Sequence, residues 1–205
     1  MQERGYVSMR HNALRDREAA FLREICKDVK TEPNLLPTDA DDLSHRTIST
    51  DGARLDISAR GVWSTFERTF FDIRITHPNA PSNQQKTLAQ LYKHHENEKK
   101  SLYNERVIQI EKGSFTPLVF ATSGGMGPEC NKFNKRVGKL LAEKRKESYS
   151  DVMCHIRTQL RFALLKSTLI AVRGIRGKTS KTESELELEQ ISFNLIPGMD
   201  QYEAP

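Results

Sequence analysis

The chain predicts an α/β layered domain, and three observations carry that reading. Two runs near the middle alternate apolar and polar residues with a period of two. A third run, FTPLVFA, is almost wholly apolar and passes into a glycine-rich turn. Around them lie stretches whose apolar residues recur every three or four positions, the spacing of a helix with one buried face. Helix, strands, helix, strand, helices is an order in which a sheet and its covering helices share one core.

Each element follows from its own residues. Over 8–29, Leu14, Phe21, Leu22, Ile25 and Val29 fall at steps of three, four or seven and predict a helix. Thr31-Glu32-Pro33 predicts a short extended piece, because a residue before proline avoids the helical region. Residues 34–52 are rich in turn formers and predict a loop that ends at Asp51-Gly52. ARLDIS (53–58) sets Leu55 and Ile57 on one face and Arg54, Asp56 and Ser58 on the other. RTFFDIRITHP (68–78) sets Phe71, Ile73 and Ile75 opposite Asp72, Arg74 and Thr76. Such alternation marks a half-buried strand. The connection RGVWSTFE is short enough to make the two strands antiparallel neighbours, which brings Asp56 close to Asp72.

After a loop at 79–85 comes a charged helix, 86–111, with Leu88, Leu91, Leu102, Val107 and Ile110 as its apolar stripe and Gly113 as its stop. FTPLVFATSGGMGPE (115–129) predicts a buried strand, a glycine turn and a helix start, where Pro128 suits the first turn. Helices at 128–147 and 149–173 follow, the second amphipathic through Val152, Ile156, Leu160, Ala163, Leu164 and Ile170. Cys154 falls near that stripe and is expected in the core. Residues 5–176 thus form the domain, and the acidic stretch 177–205 is expected to be a disordered tail.

Composition bounds the function. Hydrophobic residues make up 37% and charged residues 29%, which suits a globular domain with a modest core. No run reaches the ~18 consecutive apolar residues of a membrane span. The first residues lack the apolar centre of a signal peptide, so a secreted or membrane protein is not expected. Three scattered cysteines without a CxxC pair argue against a disulfide scaffold or structural zinc, and for a reducing nuclear or cytoplasmic setting. Residues 178–205 hold two lysines against six acids, a net of −4, which leaves +9 on residues 1–177. A body this basic has the electrostatic footprint of a polyanion binder; a solvated surface is the plainer alternative.

The informative constellation is Asp56 with Asp72-x-Arg74. Two carboxylates from adjacent strands can share a hard divalent cation, which prefers oxygen ligands. Such an ion polarises a phosphoryl oxygen and activates water, while a nearby side-chain cation steadies the developing negative charge. That is the logic of metal-dependent phosphodiester hydrolysis. An acid–Arg ion pair across a sheet is the structural alternative.

The segments RLDI, FFDIRITHP, HENEKKSLYNERV and FTPLVFATSGGMGPE, in this order, resemble the PD-(D/E)xK restriction-endonuclease-like nucleases. More closely, the chain is similar to nuclease-like domains beside reverse transcriptases in proteins of animal mobile elements; GYVSMRHNALRD and KDVKTEP resemble the opening helix and strand of that group. The resemblance covers about residues 5–176. It implies a restriction-endonuclease-like core with a mixed central sheet, extra C-terminal helices, and DNA as substrate. A reverse transcriptase region of the same element is the implied neighbour. Asp56 and Asp72 match the two acids that ligate Mg²⁺ or Mn²⁺. Arg74 stands where the family usually has lysine; it is bulkier, forked and unable to carry a proton. Three outcomes follow: Arg74 serves as the charge stabiliser, Lys99 or Lys100 replaces it from the next helix, or the domain binds DNA without cutting it.

Further candidates surround this centre. Glu96, Lys99 and Tyr103 share a helix face, with Lys99 able to meet a phosphate, Tyr103 able to hydrogen-bond a ligand, and Glu96 read as half of an exposed Glu–Lys pair. His11 and Arg15, one turn apart, are candidates for DNA contact or for a hydrogen-bonded helix start. Glu32 is either an additional acid or a surface turn residue, and His77 ends the strand that carries Asp72. Gly124, Gly125 and Gly127 offer backbone N–H groups to an anion at a helix start or, more simply, a tight packing turn. No GK[ST] follows, so this is not a Walker loop and nucleotide hydrolysis is disfavoured.

Overall fold

The computed structural model describes residues 2–38, 43, 46–50 and 52–176, so the predicted tail lies outside the described residues. The elements are α1 (Gln2–Ile25), β1 (Lys27–Thr31), β2 (Ile57–Arg60), β3 (Arg68–Thr76), α2 (Leu88–Gln109), β4 (Ser114–Ala121), α3 (Pro128–Arg145) and α4 (Tyr149–Arg176). The chain divides into a compact unit, Met1–Ala171, and a second unit, Val172–Pro205, of which the end of α4 is described. All that follows concerns the first.

The protein is α/β, with a four-stranded mixed sheet flanked by helices. Strand order is β1-β2-β3-β4. The first three strands form an antiparallel meander, and β4 lies parallel to β3 after a crossover through α2. On one face Leu14 and Leu22 of α1, Phe133, Val137 and Leu141 of α3, and Val152, Ile156 and Leu160 of α4 meet Ile57, Phe71, Ile73, Leu118 and Phe120. Full burial of each such side chain is worth about 1.5–3 kcal/mol. On the other face Phe70 and Phe115 pack with Val107 of α2, Leu35 and Leu55. β3 is therefore covered on both sides, which its buried run Thr69–Ile73 already reflects.

Local chemistry sets the helix ends. Thr87 and Gln90 form a reciprocal capping box that starts α2. Gly127 and Pro128 open α3, and Lys146, at φ 57°, closes it. Arg106 of α2, wholly buried, donates to the carbonyls of Leu36, Ile48 and Thr50, so one guanidinium holds the preceding loop against the helix.

Several boundaries differ from the sequence expectation. α1 ends at Ile25, and Val29 lies in β1 instead of extending the helix. Leu55 and Ile57 do not share a face: Leu55 packs under α2 while Ile57 joins the larger core. The cause is a bend at Asp56, with β2 starting only at Ile57. Gly113 does not end α2. The left-handed residue there is Lys112, at φ 52°, and Gly113 is needed because a Cβ would strike the carbonyl of Arg68. Cys154 is exposed, because its neighbours Val152, Met153 and Ile156 take the inward positions of α4. Among the described residues, no helix is long and apolar enough to cross a membrane.

Candidate functional site

The site arises where β2 stops short of its neighbour. Ile57 pairs with Phe71, while β3 runs on to Thr76 beside β4. Beyond Phe71 the other edge of β3 is open, and its backbone groups need partners. Two side chains supply them. Ile73 N–H donates to Asp56 Oδ2 at 2.6 Å, and His11 Nε2 lies 3.1 Å from the Ile73 carbonyl. The same His11 nitrogen is 3.1 Å from Asp56 Oδ2. The bend at Asp56 thus turns a carboxylate into the missing rung of the ladder, beside the residue that follows Asp72.

Asp72 projects toward α2. Its Oδ2 lies 2.7 Å from Lys99 Nζ, and both side chains are largely buried. Beyond this ion pair, Oδ2 has no hydrogen bond of regular geometry. Burial pushes the Asp72 carboxyl above its ordinary pKa and the charge of Asp56 adds to this; Lys99 opposes both. His11 is pushed up, first by its hydrogen bond to Asp56. Tyr103, one turn beyond Lys99, has its ring centroid 5.6 Å from that ammonium. Burial, then the charges of Asp72 and Asp56, push its hydroxyl to about 12, so it is a hydrogen-bond donor at neutral pH.

The α1 side is tied down by ion pairs. Arg15 bonds Asp16 and Glu32, and Arg54 lies 3.5 Å from Glu32. Glu32 takes a left-handed backbone, φ 50°, and its N–H donates to the Asp56 carbonyl at 2.8 Å. Its carboxylate is committed to the two arginines.

The structure thus brings His11, Arg15, Asp56, Asp72, Lys99 and Tyr103 within contact or electrostatic reach of one another, and it gives the remaining candidates other partners. Arg74 is exposed; burial lowers the pKa of His95 and the His95 hydrogen bond lowers that of Glu98, with the charge of Arg74 adding to both. Lys100 pairs with Glu129 at 2.5 Å. Glu96 is buried and accepts the Glu129 N–H at 2.9 Å, capping α3; it is not half of an exposed pair. Gly124, Gly125 and Gly127 form a packing turn. Gly124 takes φ 88°, a Cβ on Gly125 would strike the Tyr92 hydroxyl, and one on Gly127 would lie 2.6 Å from Glu96 Oε1. The N–H groups of Gly124 and Gly127 donate to Ala121 and Val119. His77 is exposed, its carbonyl bonded by Ala80 and Asn83.

No protein-family model matches this chain, and no curated protein does. The site therefore stands on its own geometry.

One grouping escaped the sequence reading. His94, His95 and Glu98 have ligand atoms within 4.8 Å of one another. The signal was the i, i+4 spacing of His94 and Glu98. His95 is engaged on both ring nitrogens, 3.3 Å from Thr76 Oγ1 and 3.2 Å from Glu98 Oε2, and the charge of Arg74 acts on the group. That makes it a hydrogen-bonded group at the end of β3.

Proposed function

We propose that this chain is a metal-dependent DNA endonuclease domain of the PD-(D/E)xK, restriction-endonuclease-like class and of mobile-element origin. The observation that carries the reading is Lys99 Nζ at 2.7 Å from Asp72 Oδ2. A cation from the following helix stands at the second acid, in the role that the family pattern gives to a lysine on the strand itself. The order helix, three-stranded meander, helix and parallel strand is compatible with such a core.

The donor set suits Mg²⁺ or Mn²⁺. Asp72 Oδ2 is a buried carboxylate oxygen without a directed hydrogen bond, close enough to Asp56 for the two charges to interact. One or two carboxylates with retained waters are what Mg²⁺ requires. When bound, the ion supplies Lewis-acid polarisation of the scissile phosphate and a more acidic water. The remaining work belongs to the chain. Asp56 and Asp72 hold the ion; His11 and the Ile73 N–H orient Asp56. Lys99 keeps a fixed positive charge beside the phosphate, where negative charge grows in the transition state. The Tyr103 hydroxyl, protonated at neutral pH, can donate to a phosphate oxygen. Arg15 adds positive potential at the α1 side of the cleft. The partner is DNA, with a reverse transcriptase region of the same element as neighbour, in the nucleus or cytoplasm.

A second reading, DNA binding without cleavage, is favoured by the same ion pair, since Lys99 already neutralises Asp72. Nicking of supercoiled plasmid by purified protein with Mg²⁺, Mn²⁺ or EDTA decides between them. Asp56→Ala and Asp72→Ala are each expected to abolish metal-dependent nicking while the thermal melt persists. Nicking that survives both substitutions sinks the endonuclease assignment; salt-sensitive binding with no nicking selects the second reading.

A further inference from the structure

Away from the acids, the connection between β2 and β3 and the outer side of α3 enclose a groove of about 500 Å³. Its lining is Trp63, Pro128, Asn131, Lys132, Lys135, Arg136 and Lys139, four cations with no acid among them. Asp56 precedes β2 and Trp63 follows it, so the two lie at opposite ends of that strand.

The cations form one stripe. Lys132, Lys135, Arg136 and Lys139 occupy positions i, i+3, i+4 and i+7 of α3, where like charges repel and cost the helix stability. Helix stability gives no reason to collect the three lysines. The three lysines are exposed. Arg136 instead fixes the wall, its Nε donating to the Val62 carbonyl at 2.9 Å.

One aromatic ring stands beside this charge, and a second lies on the same loop. Trp63 is held at its edge by Nε1 to Thr116 Oγ1 at 3.3 Å, and Lys132 Nζ lies 5.5 Å from its ring centroid. Three residues further on, outside the groove's lining, Phe66 leaves 89% of its surface in solvent, the most exposed of the large apolar side chains among the described residues. The loop that carries both rings is pinned by Gly61 N–H to the Glu67 carbonyl at 3.1 Å. An exposed phenylalanine on a pinned loop costs solubility and contributes nothing to the core.

A line of cations next to one fixed aromatic ring, with a second ring exposed on the same loop, suits one ligand chemistry: phosphates spaced along a chain whose bases are free to stack. A duplex hides its base faces, and a base-free polyanion has none. We propose that the groove between α3 and the β2–β3 connection binds single-stranded nucleic acid, with the phosphates on Lys132, Lys135 and Lys139 and a base on Phe66 or Trp63. This holds whether or not Asp56 and Asp72 support cleavage.

Trp63 is the chain's only tryptophan, so its fluorescence reports the groove directly. The full chain is titrated in EDTA with a twelve-residue oligothymidylate, with a duplex of equal length and with polyphosphate. Expected are quenching by the single strand, weaker quenching by the duplex and none by polyphosphate. By anisotropy with a labelled strand, Phe66→Ala weakens binding about tenfold. Lys132→Ala/Lys135→Ala/Lys139→Ala makes the slope of log affinity against log salt shallower by about 2. All four positions are exposed, so unchanged melts are expected and checked by circular dichroism. Equal quenching by all three polyanions, or affinity and slope unaffected by the variants, overturns the proposal.

Discussion

Glu18 offers the sharpest physical test of the packing that positions His11. It lies on α1 two turns beyond His11 and is fully buried against α3. Oε1 accepts a hydrogen bond from Asn134 Nδ2 at 3.1 Å, while Oε2 and Asn134 Oδ1 are buried without partners. Burial pushes the carboxyl to about 7, from 4.5. The folded protein therefore holds this proton over a range in which the unfolded chain has released it. Stability is unaffected by Glu18 below the unfolded pKa. It declines by about 1.4 kcal/mol per pH unit as pH rises from the unfolded to the folded value. Above the folded value the full penalty, on the order of 3 kcal/mol, is present.

Glu18→Gln keeps the shape and the acceptor but removes the charge. Its melting temperature should match the wild type near pH 4 and exceed it at pH 8, by roughly 6–12 °C for a chain of this size. Urea unfolding at pH 4, 6 and 8 reads the same difference as free energy. Parallel pH profiles for the two proteins, or a Gln variant less stable at pH 8, would refute the reasoning. That result would mean that Glu18 is ionised in the fold, with its charge compensated by something other than Asn134.

Two further substitutions examine the site and its support. Lys99→Ala should cut metal-dependent nicking by about 100-fold, the usual loss of one transition-state charge donor, while Arg74→Ala stays within about threefold; a plasmid assay giving the reverse order would return the catalytic cation to β3. Arg106→Met deprives the carbonyls of Leu36, Ile48 and Thr50 of their donor. It should cost roughly 3 kcal/mol in urea unfolding, with faster hydrogen exchange at Ile48, because one or two carbonyls left dry carry that penalty.

Much of the frame was legible because it is local. The alternation in RTFFDIRIT marks β3 to within two residues, since a strand buried on both sides still alternates in size and polarity. Pro128 marked the start of α3, because its chemistry acts within the first turn. Asp56, Asp72, Lys99 and Tyr103 were all visible as candidates. The bend at Asp56 was not. Periodicity put Leu55 and Ile57 on one face, whereas each went to the nearest apolar cluster, and the carboxylate between them found the unpaired backbone of Ile73. The choice between Arg74 and Lys99 was equally hidden, because both are cations within reach of β3 and only the packing of α2 ranks them.

What the residues decided unaided was the succession of helices and strands, the basic surplus on the body of the chain, and a short set of acids and cations. Tertiary structure decided which of these meet. An ion pair between Asp72 and Lys99 spans 27 positions, and a stripe of lysines acquires an aromatic wall only when a distant loop folds against it. Sequence periodicity encodes contacts within one turn or one rung. Contacts between layers depend on where strands end, which is set by the competition of whole surfaces for burial.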